Sequence, residues 1–167
     1  MKSKAYVSVG SNVDRERNVL HAIDLLRERF GELELSSVYE TEAVGFDGEP
    51  FFNLIVAFET DIQPSAIVAE LHTIERCCGR ARDTKRFGPR TLDLDLVVLG
   101  DRIVRENGLV LPRREVSTQA FVLCPLAEIA GECAHPVSGE TFAAMWARIE
   151  PKTGTPRKVD LAGGARS

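Results

Sequence analysis

Between Leu92 and Val97 the chain reads Leu-Asp-Leu-Asp-Leu-Val, a strict alternation of apolar and acidic residues up to Leu96. Only an extended strand, whose successive side chains point to opposite faces, keeps such an order. Leu92, Leu94 and Leu96 then enter a core together, while Asp93 and Asp95 leave together on the other side, their α-carbons about 7 Å apart. Any fold open to the chain must bury one face of this strand and hold two carboxylates on the other.

Two carboxylates so placed push each other's pKa upward unless a cation joins them. Mg2+ suits the position, because it is usually held by one or two carboxylates and takes water and phosphate oxygens as its other ligands. An edge strand with a solvated acidic face satisfies the same pattern, so the neighbouring sequence matters. From Arg76 to Arg90 there are six basic residues, Arg76, Arg80, Arg82, Lys85, Arg86 and Arg90, against the single acid Asp83, a local charge of +5. The chain as a whole carries a formal charge of −4. Guanidinium groups fork onto phosphate oxygens. An acid pair beside an arginine-rich loop is therefore the equipment of transfer from a nucleoside triphosphate, chemistry that is mostly positioning and charge neutralisation. No G-x-x-x-x-G-K-[ST] occurs, so side chains and metal must hold the triphosphate. Two other readings of the basic stretch are a solvated, salt-bridged loop and a nucleic-acid patch. The second lacks a stacking platform, since Phe87 is the loop's only aromatic, and the acidic average argues against a general polyanion or anionic-membrane binder.

With 167 residues, 44% of them apolar, the chain is long enough for one domain that buries roughly 70% of its unfolded surface. Strands are predicted over Ala5–Val9, Leu33–Thr41, Phe51–Thr60 and Thr91–Leu99, with a short one near Ile103–Val104. Val19, Ile23, Leu26 and Phe30 predict a helix from about Asp14 that stops at Gly31, and Ile67, Leu71 and Ile74 another from Pro64 that ends by Gly79. Further helices are expected over Thr118–Ala130 and Thr141–Ile149. Residues 1–150 form one domain on this reading, and Pro151–Ser167, poor in apolar residues, a mobile tail. Helices separated by runs of adjacent strands indicate an α+β class. Cys77, Cys78, Cys124 and Cys133 contain no C-x-x-C and are read as reduced thiols of a cytoplasmic protein. Neither a signal peptide nor a membrane span is expected.

The run Phe87-Gly88-Pro89-Arg90-Thr91-Leu92-Asp93-Leu94-Asp95 resembles the signature of the 6-hydroxymethyl-7,8-dihydropterin pyrophosphokinase family. The likeness extends from Ala5 to about Ile129 and includes Val9-Gly10-Ser11-Asn12, Ser36-Ser37-Val38-Tyr39-Glu40-Thr41 and Phe121-Val122-Leu123-Cys124-Pro125-Leu126. It implies a three-layer α/β/α sandwich of ferredoxin-like character with a largely antiparallel sheet. It also implies transfer of the β,γ-diphosphoryl unit of ATP to the hydroxymethyl oxygen of the pterin, with release of AMP. Carried over by position, Asp93 and Asp95 match the ligands of two Mg2+ ions. Arg80, Arg82 and Arg90 match basic ATP-site positions, Arg80 and Arg90 being also assigned to catalysis, and Glu75 matches an acidic residue of the catalytic set at the ATP side. Phe87 stands where Trp is usual. Thr41, the backbone near Val44, and Asn53 match positions that hydrogen-bond the pterin edge; Phe121 matches one stacking aromatic, and Phe51 or Phe52 the other.

The chain also departs from the family pattern. After Pro112 it has Arg113-Arg114 and then Gln119, where a His, an aromatic or similar residue and an Arg are typical. Arg113 is expected to bring charge to an ATP phosphate in place of the imidazole. A divergent relative with weak or altered activity is the nearest alternative, and a nucleic-acid-binding module the more distant one. The expected partners are ATP and a dihydropterin, with no nucleic acid and no membrane, and the expected state is a monomer.

Overall fold

In a computed structural model, residues 2–42, 48–78, 92–149 and 155–161 are described. The chain runs β1 (Ser3–Ser11), α1 (Arg15–Phe30), β2 (Glu34–Leu35), β3 (Val38–Thr41), β4 (Phe51–Thr60), α2 (Pro64–Cys77), β5 (Asp93–Leu99), β6 (Val104–Glu106), β7 (Leu109–Leu111), α3 (Glu115–Thr118), α4 (Ala120–Ala130), α5 (Phe142–Arg148) and β8 (Arg157–Val159). The main sheet has the order β5-β1-β4-β3-β8, with β2 also paired to β4. Its pairings are antiparallel. Taking β1, β3, β4 and β5 with α1 and α2 gives the β-α-β-β-α-β order of a ferredoxin-like unit, and α3, α4 and α5 are added after it.

Alternation along the strands divides the core into two layers. Val7, Val9, Leu54, Val56, Phe58, Leu92, Leu94 and Leu96 meet the stripe Val19, Ile23 and Leu26 of α1 and Ile67, Leu71 and Ile74 of α2. On the other face Tyr6, Ile55, Ala57, Val97 and Val98 pack against Val116, Val122, Leu123, Leu126, Phe142 and Met145 of α3, α4 and α5. The three expected layers are thus present, and Leu92, Leu94 and Leu96 are buried together as their spacing requires.

Several boundaries differ from expectation for identifiable reasons. Leu33–Thr41 is not one strand: Ser36 interrupts it, its backbone N–H donating to the Ile55 carbonyl at 2.9 Å while its hydroxyl accepts from the Ile55 N–H at 2.9 Å. The strand near Ile103 begins at Val104 and belongs to a hairpin, whose Asn107 (φ 52°) and Gly108 (φ 78°) take the two left-handed positions of a tight turn. Gln119, extended at φ −122°, divides the expected Thr118–Ala130 helix into α3 and α4. Thr141 accepts the Ala144 N–H as a side-chain N-cap, so α5 starts at Phe142. Within the expected tail, Arg157–Val159 instead forms β8, because its backbone completes a ladder on β3 at Val38↔Val159, Tyr39↔Lys158 and Glu40↔Arg157.

The β1–β5 ladder carries a register shift between Tyr6 and Val7: Tyr6 lies opposite Val98, but Val7 lies opposite Leu96. Val97 is the additional residue, and Val97 and Val98 both face the α3–α5 layer. Beyond the shift the pairing is regular, with Ser8 opposite Asp95 and Gly10 opposite Asp93.

Candidate active site

One row of residues crosses the sheet at the C-terminal end of β1. Gly10 lies opposite Asp93 of β5 on one side and opposite Asn53 of β4 on the other, and Asn53 lies opposite Tyr39 of β3. Residues directly opposite one another share a face. Asp93, Asn53 and Tyr39 therefore project toward the α3–α5 layer, and so does Asp95, opposite Ser8. Strands about 4.8 Å apart put the backbone of Asp93 about 10 Å from that of Asn53. Gly10 keeps the space between them open, since a Cβ there would stand 2.9 Å from Asn53 Oδ1 and 3.9 Å from Phe51 Cδ1.

On the β4 side Asn53 is buried and donates through Nδ2 to Thr41 Oγ1 at 2.6 Å. Thr41 lies opposite Phe51, so Thr41, Phe51 and Asn53 share one face and form a continuous polar and aromatic edge. Phe52 points the other way, into the α1–α2 layer. The structure thus separates the two phenylalanines between which the family resemblance left the choice open: Phe51 is on the face of Asn53 and Phe52 is core. Phe121, in the first turn of α4, is half-buried against the α3–α5 layer. On the expectation that Asn53 and Thr41 bind the pterin edge, replacing Gly10 with Ala should displace the Asn53 amide and raise the KM for that substrate by about tenfold. Steady-state kinetics with each substrate varied would read it; an unchanged acceptor KM in a folded variant removes Gly10 from the pocket.

At the other end of the row, Asp93 is half-buried and Asp95 exposed. Strand β5 ends the sheet, so its outward backbone groups need partners. Two flank Asp95. The Leu94 N–H donates to Glu75 Oε2 at 2.8 Å, and the Val97 carbonyl accepts the Arg113 N–H at 2.9 Å. Glu75 is buried in the last turn of α2, only 5% exposed. It thereby fixes the backbone between the two aspartates from below. Arg113 is half-buried, its Nε and Nη2 lying 3.4 Å and 3.3 Å from the Glu115 carboxylate. Burial works against the charge of Arg113, yet hydrogen bonding to Glu115 and the field of Asp95 outweigh it and raise the guanidinium pKa. Burial likewise opposes the charge of Glu115, but backbone and Arg113 hydrogen bonds win and lower its pKa. Arg113 is thus a fixed cation within the field of Asp95.

A cavity of about 300 Å3 opens beside Asp95, walled by Val68, Leu71, Leu96 and Leu109 with His72 and Arg113 at its polar side. Sequence reasoning placed none of these residues except Arg113 in a site. Their apolar periodicity is that of ordinary core positions, and only the return of the β6–β7 hairpin over α2 makes a recess of them. A second recess of about 390 Å3 is lined by Arg113, Arg114, Glu115, Thr118 and Gln119. Arg80, Arg82, Phe87, Arg90 and Val44, all expected site residues, lie outside the described residues. Among the described residues no three His, Cys, Asp or Glu side chains group closely enough to hold a metal. All four cysteines are free thiols, and no helix among the described residues is long and apolar enough to cross a membrane.

The family model for 7,8-dihydro-6-hydroxymethylpterin-pyrophosphokinase (HPPK) matches residues 6–131. The 2-amino-4-hydroxy-6-hydroxymethyldihydropteridine pyrophosphokinase of Bacillus subtilis is 35% identical over 133 residues, covering 77% of this chain and 79% of that protein. The enzyme of the same name from Methylorubrum extorquens is 35% identical over 153 residues, covering 89% and 95%. A folic acid synthesis protein from Pneumocystis carinii is 34% identical over 147 residues, which are 86% of this chain but 20% of that longer protein. A crystal structure of Plasmodium falciparum HPPK-DHPS superposes with a TM-score of 0.72 at 13% identity, over 89% of this chain and 43% of that one. The fold, the aspartate strand and these matches agree, and the chain belongs to the 7,8-dihydro-6-hydroxymethylpterin-pyrophosphokinase family.

Proposed function

We propose that the protein is a 2-amino-4-hydroxy-6-hydroxymethyldihydropteridine pyrophosphokinase of folate biosynthesis, moving diphosphate from ATP to the hydroxymethyl group of 6-hydroxymethyl-7,8-dihydropterin. The observation that carries the reading is the row from Asp93 through Gly10 to Asn53, which puts a phosphate-side acid pair and an acceptor-side amide on one face. The hydroxymethyl oxygen attacks the β-phosphorus in line and loses its proton. The bond from that phosphorus to the oxygen bridging the α-phosphate breaks, and AMP leaves. Pterin diphosphate, AMP and one proton released to water account for every atom.

Two carboxylates on one face, with hard oxygen donors and positions left for water and phosphate, fit Mg2+. Asp93 and Asp95 would hold it, as two ions on this reading, and when bound it neutralises charge across the α- and β-phosphates. Arg113 adds a fixed positive charge beside Asp95, and the cavity walled by Val68, Leu71 and Leu96 takes the nucleoside end of ATP. By the family resemblance, Arg80, Arg82 and Arg90 would serve the phosphates of ATP, Arg80 and Arg90 in catalysis as well, and Phe87 would supply an apolar surface to the nucleotide. At the acceptor, Asn53, Thr41 and the backbone near Val44 hydrogen-bond the pterin edge, while Phe51 and Phe121 stack on its ring. The protein acts as a cytoplasmic monomer on this reading.

Incubation with ATP, Mg2+ and the hydroxymethyl-dihydropterin is expected to release AMP and pterin diphosphate in equal amounts. Release of ADP, or no pterin-dependent AMP, defeats the proposal. Salt-dependent, ATP-independent binding to nucleic acid would instead favour a polyanion-binding role for the basic stretch.

A further inference from the structure

Two residues of the acceptor edge sit where their strands meet loops, Thr41 at the end of β3 and Phe51 at the start of β4, and something must hold them still. β3 is four residues long, and Thr41 is its last. Phe51 is the first residue of β4. One side chain from another layer reaches both stems. Arg15, the first residue of α1, places Nη2 2.9 Å from Glu40 Oε2 on β3 and donates through Nη1 to the Pro50 carbonyl at 2.7 Å. Its guanidinium carbon lies 3.9 Å over the Phe52 ring.

Each of these three contacts falls one residue away from a member of the acceptor edge. Glu40 precedes Thr41, Pro50 precedes Phe51, and Phe52 lies between Phe51 and Asn53. Glu40 lies opposite Phe52, so both project from the reverse face of the sheet. Arg15 thus grips from behind the two strands that present Thr41, Phe51 and Asn53 in front. A planar guanidinium suits the task, because a carboxylate, a carbonyl and a ring face can be engaged together; a lysine ammonium offers a single point. Arg15 and Glu40 are largely enclosed, with side chains 26% and 18% exposed. Arg157 of β8 also pairs with Glu40, but its side chain is 72% exposed. A pair so open to water contributes little.

We infer that Arg15 is a positioning residue for the acceptor pocket, acting through Glu40, Pro50 and Phe52 on the placement of Thr41, Phe51 and Asn53. It touches neither substrate. The inference rests on the proposed function, and AMP release by the unaltered protein tests that reading separately.

With the parent active, Arg15→Met, which keeps much of the aliphatic cover over Phe52, is expected to raise the KM for the dihydropterin about tenfold, in line with the cost of small misplacements. The KM for ATP should stay within about twofold, because the Asp93–Asp95 strand is tied separately by Glu75 and Arg113. Glu40→Gln should move the pterin KM in the same direction, the double variant should be no worse than the poorer single, and Arg15→Lys should recover part of the loss. Arg157→Ala should lie within about twofold of the parent throughout. An unchanged pterin KM in folded Arg15→Met, or an equal rise in both KM values, overturns the inference. If Arg15→Met does not fold, Glu40→Gln decides by the same two readings.

Discussion

Replacing Asp95 with Ala is expected to lower turnover by about two to four orders of magnitude while the circular dichroism spectrum stays that of the parent. The two halves of this expectation have different origins. Asp95 is exposed on β5 and contributes nothing to the leucine layer on the opposite face, so its loss should change stability by no more than about 0.5 kcal/mol. Its carboxylate nevertheless stands in the field of Arg113 and beside the cavity under the β6–β7 hairpin. On the proposed function, removing it takes away one of the two carboxylates that would hold Mg2+ against the phosphates of ATP. A natively folded Asp95→Ala protein with the parental rate would show that this strand takes no part in the reaction.

Glu75→Ala is expected to damage both fold and rate, whereas Glu75→Gln should spare most of both. The Leu94 N–H points outward from the sheet edge into a buried space where Glu75 Oε2 is its acceptor. Without that oxygen the donor is left buried and unpaired, at a cost of about 1–3 kcal/mol. For a chain of this size each kcal/mol lowers the melting temperature by roughly 2–4 °C. The backbone that loosens is the one carrying Asp93 and Asp95, so turnover should fall by about ten- to a hundredfold. Gln retains an oxygen that can accept from Leu94. Thermal melts alongside kinetics separate the effects: a Glu75→Gln protein with the parental melting temperature but the rate of Glu75→Ala would mean that the carboxylate charge itself is used by ATP.

Much of this arrangement was legible before any coordinates, because local periodicity and burial were in agreement. Asp93 and Asp95 fall on the accessible face for the same reason that Leu92, Leu94 and Leu96 fall in the core. The α1 and α2 stripes and the full extent of β4 are equally local. Other features depended on partners distant in sequence. β8 has a single half-buried apolar residue, Val159, and exists because β3 offers a free edge. Glu75 reads as a helix-end acid until the Leu94 N–H is seen against it. Arg15 belongs by pattern to the polar side of α1, and its grip on Glu40, Pro50 and Phe52 follows only from the meeting of three elements. The β6–β7 hairpin is a different case. Asn107-Gly108 is among the strongest short turn signals a sequence can carry, and reading it would have replaced the expected strand at Ile103–Val104 with the pair that roofs the cavity.

The register shift at Val97 has a consequence for how β5 tolerates change. A strand has two phases, and β5 uses one from Asp93 to Leu96 and the other at Val98 and Leu99, with Val97 as the joint. Val97 and Val98 face the same layer, so deleting either one would restore an unbroken alternation with every remaining side chain on its present face. Deleting Asp95 would instead bring Leu94 and Leu96, both core-facing, side by side, and one of them would have to leave the leucine layer. The strand therefore carries its one spare residue at the joint, and none within the acidic stretch.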